Sequence, residues 1–163
     1  MSEPVTRNAT PDDQPFLWEM AYEAAFPDVQ PRPSRAAVRE PQIARYLSGW
    51  GRRGDRALVA ELRGQRVGAA WYRLFPATDP AYGFVDEQTP ELSIAVAPGR
   101  RGRGVGKALL EALLAAARED GFAALSLSVS RTNGPASALY ERCGFRIVSD
   151  EDTEASVTMC VRL

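Results

Sequence analysis

The sequence predicts a mixed α/β fold, and three observations carry that reading. Segments with strand alternation and segments with helical apolar spacing follow one another with no internal repeat, low-complexity tract or linker. One strand–helix–strand run, 91–130, has the order of a right-handed parallel crossover. The closing stretches "FRIVSDE" and "SVTMCVRL" read as a last antiparallel pair. At 163 residues the chain is long enough to bury a sizeable core, so residues 1–163 are expected to form a single domain.

Each element has a local reason. "VTRNAT" (5–10) is a short strand, and "PDDQPFLWEMAYEAAF" follows as a helix with acids in its first turn and Phe16, Met20, Glu23 and Ala24 at helical spacing. Three prolines make "PDVQPRPSR" (27–35) a loop, and "SRAAVREPQIARYLSGW" is helical in pattern with a break or restart at Pro41. "RALVAELRG" and "QRVGAAWYRLF" flank Arg63-Gly64-Gln65 as a hairpin does. The stretch 76–90, rich in Pro, Gly and Asp, is a long loop, either functional or a solvated excursion. "ELSIAVAP" (91–98) is a strand ended by Pro98-Gly99. A helix follows, with Leu109, Leu110, Leu113, Leu114 and Ala117 on one stripe and Gly121 as its stop. "ALSLSVS" (124–130) is a strand with serine on one face. "NGPASALYERCG" is a short helix capped by Asn133, with Pro135 in its first turn and Gly144 at its end.

Composition narrows the chemistry. The chain has no histidine, which removes Ser-His-Asp and Cys-His catalysis and most transition-metal sites. Its two cysteines, Cys143 and Cys160, are too few for a metal knuckle, and Cys143 reads as a buried structural thiol. A formal net charge of −1 argues against a global attraction to nucleic acid or to an anionic membrane. No stretch is apolar enough for a secretory leader or a membrane span, so a cytoplasmic setting is expected.

The one local cationic cluster is "RRGRGVGKALL" (100–110), where glycines and cations meet at a helix start. A dinucleotide fingerprint fails because the third glycine comes one residue early, and a Walker A loop fails at Arg101 and Ala108. The physics those loops share still applies. The leading N–H groups of a helix lack partners and carry partial positive charge, glycines let a phosphate approach them, and Arg101, Arg103 and Lys107 add cations. On this loop alone, a tight turn with solvated arginines is the other reading.

"ELSIAVAPGRRGRGVGKALLEALLAAA" resembles the acetyl-CoA-binding core of the GNAT superfamily of N-acetyltransferases. Its signature Q/R-x-x-G-x-G/A is matched by Arg101, Gly104 and Gly106, and the preceding strand by Val96 and Pro98. A second block, "SLSVSRTNGPASALYERCGF", resembles the family's strand–Asn–helix–Tyr–Gly-Phe pattern at Asn133, Ala136, Leu139, Tyr140, Gly144 and Phe145. The recognisable part covers roughly 91–145. The resemblance implies a single GNAT-like domain whose mixed, mostly antiparallel sheet is splayed between the fourth and fifth strands (91–98 and 124–130) and flanked by about four helices. It implies that acetyl-CoA is the acyl donor, with no metal. Backbone groups at Ile94, Ala95 and Val96 would hold the pantetheine arm. The loop Arg101, Gly102, Arg103, Gly104, Val105, Gly106 and Lys107 would hold the pyrophosphate, and Asn133 would contact the cofactor arm.

Acyl transfer to an amine sets three tasks. An alkyl ammonium of pKa about 10.4 leaves the neutral nucleophile depleted about a thousandfold at neutral pH, on the order of 4 kcal/mol unless a base takes the proton. The developing oxyanion needs a donor, which the resemblance assigns to a backbone N–H on strand 91–98. The departing thiolate needs a proton, and Tyr140 matches the family's general-acid tyrosine. For the base, some family members carry a glutamate where this chain has Ser128. Glu91 is then the remaining carboxylate, against the alternative of a solvated strand-end acid, and an acceptor that arrives neutral is a third option.

Acceptor choice is expected from the first helix and the loops 27–35 and 76–90. Asp79, Asp86 and Glu87 could attract a cationic amine, and Trp18, Tyr22, Trp71, Tyr72 and Tyr82 line either a pocket or the core. The acceptor is a small-molecule or peptide amine, with no nucleic-acid or membrane partner, and a homodimer stays open. A CoA-binding sensor that lost its chemistry is the competing function.

Overall fold

The computed structural model describes residues 3–27, 29–149 and 155–163. Among the described residues, seven strands and four α-helices follow in the order β1 (Val5–Asn8), α1 (Gln14–Ala25), α2 (Pro41–Ala44), β2 (Arg56–Leu62), β3 (Gln65–Arg73), β4 (Glu91–Val96), α3 (Val105–Glu119), β5 (Ala124–Ser130), α4 (Gly134–Arg142), β6 (Arg146–Ser149) and β7 (Ser156–Arg162). Hydrogen bonding orders the strands β1-β2-β3-β4-β5-β7-β6. The β1–β2, β2–β3, β5–β7 and β6–β7 pairs are antiparallel, and β4–β5 is parallel. This is the mixed, mostly antiparallel sheet that the sequence predicts. The chain divides into two compact units, Met1–Tyr72 with Ser93–Leu113, and Arg73–Leu92 with Leu114–Leu163.

In the first unit, α1 packs its apolar side against the hairpin. Phe16, Leu17, Met20, Ala21 and Tyr22 share one buried cluster with Val38, Leu47, Ala57, Val59, Ala69, Trp71 and Ala95. Asp13, just ahead of α1, is wholly buried and draws in three donors. Its carboxylate accepts from Arg7 (2.7 and 3.0 Å) and from the Thr10 N–H (2.7 Å), and it pairs with Arg66 at 3.0 Å. That arrangement closes the first turn and ties β1 and β3 to it. The helical pattern of 34–50 is fragmented: a 3-10 turn covers Arg35–Arg39, and α2 covers only Pro41–Ala44. Pro41 forces the restart, because a proline has no N–H to give to the preceding turn. Gly68 on β3 lies where a Cβ would meet the Ala95 carbonyl oxygen at 2.9 Å and the Leu109 and Val105 side chains at 3.0 and 3.1 Å.

In the second unit, β5 and β7 pair along their whole length, from Ala124 opposite Arg162 to Ser130 opposite Ser156. β5 carries buried Leu125, Leu127 and Val129, and α4 buries Tyr140. The β4–β5 register is a single pair, Glu91 opposite Ser126, joined by the Ser126 N–H to the Pro90 carbonyl at 3.0 Å. The expected α3 stripe is buried at all five positions. The strand expected over 91–98 ends at Val96, and the first pyrrolidine of the following turn, Pro98, lies beyond it. The end of "FRIVSDE" lies outside the described residues. Cys143 is half-buried rather than buried, because it stands at the C-cap, just past the end of α4 at Arg142; both cysteines are free thiols. No helix among the described residues is long and apolar enough to cross a membrane.

Candidate functional site

The loop ahead of α3 opens outward. Gly102 and Gly104 both have φ +79°, a conformation that side-chain-bearing residues rarely adopt, and nothing stands within 4 Å of where a Cβ would sit. Backbone conformation, not crowding, selects glycine there. The first helical hydrogen bond runs from the Ala108 N–H to the Gly104 carbonyl at 3.0 Å. Ahead of it, the N–H groups of residues 102–107 find no protein acceptor among the described residues. Arg101, Gly102, Arg103, Gly104 and Lys107 are exposed, Gly106 is half-buried, and Val105 anchors the turn in the core. Six adjacent donors at the positive end of a 15-residue helix, with cations beside them, form a cradle for an anion. No carboxylate among the described residues fills it.

Arg101 has one further neighbour. Its guanidinium lies 3.9 Å from the Glu23 carboxylate, which is buried on α1 and also pairs with Arg32 at 3.1 Å. Arg32 and Arg35 each stand 4.8 Å from the Tyr22 ring centroid, and Arg39 stands 3.8 Å from that of Trp18. On β4, Ala95 is buried while Ile94 and Val96 are half-buried.

In the second unit, Tyr140 is buried on α4 with its ring 5.8 Å from that of Phe145. Burial pushes its hydroxyl well above the ordinary phenol range, so it stays protonated throughout neutral pH. Asn133 caps α4: its Oδ1 accepts from the Ala136 N–H at 3.3 Å. Glu91 is 2% exposed, which removes the reading of a solvated strand-end acid. The loop 76–90 folds back over it, and the Gly83 N–H donates to Glu91 Oε1 at 2.9 Å.

The acids expected to attract an amine, Asp79, Asp86 and Glu87, are all exposed. Glu87 also accepts from the Ala77 N–H at 2.8 Å and Asp86 from the Gln88 N–H at 2.9 Å, so these two hold the loop's own backbone as well. Of the candidate pocket aromatics, Tyr22, Trp71 and Tyr72 are core, Trp18 is half-buried, and Tyr82 is 56% exposed. Sequence reasoning missed Gly83 and the buried charges of Asp13, Glu23 and Arg73. The one local sign is the Thr10–Asp13 spacing of a capping box; the burial of the others follows from how the chain packs around them. Among the described residues, no group of three or more His, Cys, Asp or Glu is placed to hold a metal ion.

The sequence profile of the Acetyltransferase (GNAT) family matches residues 17–145. The chain is similar to the mycothiol acetyltransferase of Cellulomonas flavigena, 33% identical over 89 residues, which are 54% of this chain and 26% of that protein. It is also similar to the streptothricin acetyltransferase of Streptomyces lavendulae, 46% identical over 52 residues, 32% of this chain and 28% of that protein. The matched stretches thus span little more than a quarter of these curated relatives. The solved ribosomal-protein-alanine N-acetyltransferase from Brucella melitensis superposes with a TM-score of 0.71 at 28% identity, covering 98% of this chain and 99% of that one. The structure of yncA from Salmonella typhimurium with its cofactor acetyl-CoA superposes with a TM-score of 0.70 at 21% identity, over 99% of this chain and 95% of that one, and shows the shared fold.

Proposed function

The chain belongs to the acetyltransferase (GNAT) family, and on that premise we propose that it moves an acetyl group from acetyl-CoA to a primary amine. The observation that carries this reading is the exposed run of unpartnered N–H groups over residues 102–107, with Gly102 and Gly104 held at positive φ. A diphosphate is the complementary ligand for such a cradle. The residues fit the donor: Arg101, Gly102, Arg103, Gly104, Val105, Gly106 and Lys107 would hold its pyrophosphate, the backbone of Ile94, Ala95 and Val96 its pantetheine arm, and Asn133 a further point on that arm.

Bound acetyl-CoA supplies an electrophilic thioester carbon. The rest of the chemistry belongs to the chain. Glu91 takes the proton that the amine must lose as its nitrogen bonds to that carbon. A β4 backbone N–H stabilises the negative charge that develops on the carbonyl oxygen. Tyr140 gives its hydroxyl proton to the sulfur as the carbon–sulfur bond breaks, and its raised pKa keeps that proton available. The acceptor is a small-molecule or peptide amine. The Brucella melitensis neighbour, named for ribosomal-protein alanine, makes an alanine-terminated peptide the first acceptor to try.

Two measurements test the reading. Acetyl-CoA at ~100 times its dissociation constant should stabilise the protein by about 2.7 kcal/mol. Thiol release from acetyl-CoA is then followed over a panel containing an alanine-terminated peptide, free lysine and spermidine. Release is expected with at least one amine, and Tyr140→Phe is expected to lower kcat at least tenfold while leaving acetyl-CoA affinity within about twofold. No stabilisation by acetyl-CoA, or stabilisation without release across the panel, overturns the proposal.

A further inference from the structure

Gly83 lies in the 76–90 loop between Tyr82 and Phe84, and its φ is not in the left-handed region. Space, not conformation, fixes it as glycine. A Cβ there would stand 2.5 Å from the Leu127 carbonyl carbon, 2.7 Å from the Ser128 nitrogen and 2.8 Å from the Leu127 oxygen. All three are backbone atoms of β5 and cannot swing aside. The loop therefore lies directly on that strand. Its neighbour Tyr82 is fastened at the same level, because its carbonyl accepts from Thr158 Oγ1 at 3.4 Å and Thr158 stands opposite Ser128 on β7. The rest of the loop is closed by its own hydrogen bonds: Asp79 N–H to Pro76, Phe84 N–H to Ala81 and Thr89 N–H to Asp86 at 3.0, 3.2 and 3.3 Å.

From this seat the Gly83 N–H reaches Glu91 Oε1 at 2.9 Å inside the protein. A glutamate side chain has three rotatable bonds, and a fixed donor removes much of that freedom before the reaction begins. We infer that Gly83 is a positioning residue for acyl transfer, its bare Cα seating the 76–90 loop on β5 so that its N–H orients the Glu91 carboxylate. The inference rests on the role proposed above for Glu91.

The test compares kcat and KM for acetyl-CoA and for the fastest amine of the panel in the parent, Gly83→Ala, Glu91→Gln and the double variant. Gly83→Ala is expected to lower kcat at least tenfold with both KM values within twofold, and to add less than twofold to the deficit of Glu91→Gln. An equal loss in both backgrounds, or parental kcat in Gly83→Ala, overturns the positioning role while leaving the proposed function standing. Parental kcat in Glu91→Gln removes Glu91 as base and this inference with it. Should Gly83→Ala fail to fold, hydrogen exchange at the Gly83 amide decides. Exchange at least a hundredfold slower than in an open loop, and accelerated in Glu91→Ala, supports the seat; open-loop exchange in the parent overturns it.

Discussion

Replacing Gly68 by alanine puts one methyl group into a space that has none. The added Cβ would meet the Ala95 carbonyl oxygen at 2.9 Å, Leu109 Cδ1 at 3.0 Å and Val105 Cγ1 at 3.1 Å, where ordinary contacts begin near 3.4 Å. Leu109 and Val105 are 0% and 1% exposed and have no room to turn away. Overpacking of this kind costs about 2–3 kcal/mol. The lower entropy of an unfolded chain with alanine in place of glycine offsets roughly 0.7 kcal/mol of it. A net loss of about 2 kcal/mol lowers Tm by about 4–8 °C in a chain of this size. The strain falls on the first two turns of α3, so the N–H cradle should shift with them and forfeit about 1 kcal/mol of its attraction for a diphosphate, roughly a fivefold rise in Kd. Calorimetric melting and isothermal titration with acetyl-CoA read the two effects separately. An unchanged Tm would refute the steric reasoning. A lowered Tm with parental Kd would refute the coupling between β3 and the cradle.

Three further outcomes are expected. Asp13→Ala should destabilise by about 3 kcal/mol at pH 7, since it strands Arg7 and Arg66 beside an empty site. Arg7 holds the Asp13 carboxyl well below the usual range, so its contribution is complete above about pH 4 and falls away in more acid solution; urea unfolding should show the gap to the parent narrowing at pH 3, and a constant gap would refute it. Tyr140 has the opposite sign: its raised pKa gives a contribution intact below about pH 10 and lost as pH climbs further. Melting at pH 8 and pH 11 should therefore fall less steeply in Tyr140→Phe than in the parent, and parallel slopes would count against a buried neutral hydroxyl. Ser126 Oγ is buried with no hydrogen-bond partner among the described residues. Ser126→Ala should leave the urea midpoint equal or higher, and a loss above about 1 kcal/mol would show a partner that the geometry does not.

Where a signal was local, it could be read from the chain. β5 occupies the expected 124–130 because leucine, valine and serine alternate there with period two. Asn133 and Pro135 set the start of α4, and the run of small and apolar residues after Gly106 sets α3. The glycines at 102–106 mark a turn in either reading of that loop, and Gly102 and Gly104 take the positive φ that a turn asks of glycine. What could not be read is non-local. Glu91 looks like a surface acid until the 76–90 loop returns to cover it, and the bond from the Ala77 N–H to Glu87 closes that loop across ten residues. The stretch 34–50 has helical spacing but packs as short pieces, since Val38 and Leu47 each reach the α1 cluster from a separate turn. Periodicity reports which residues are apolar, and not where a proline lets the chain change direction.

The amide of Asn133 has more capacity than its place in the fold uses. One lone pair of its oxygen takes the Ala136 N–H, where it starts α4. The second lone pair and both hydrogens of the nitrogen lie outside that bond. If the pantetheine arm lies against Asn133 as proposed, this one side chain can meet both an amide carbonyl and an amide N–H. A residue that begins a helix thereby keeps a donor and an acceptor for its visitor.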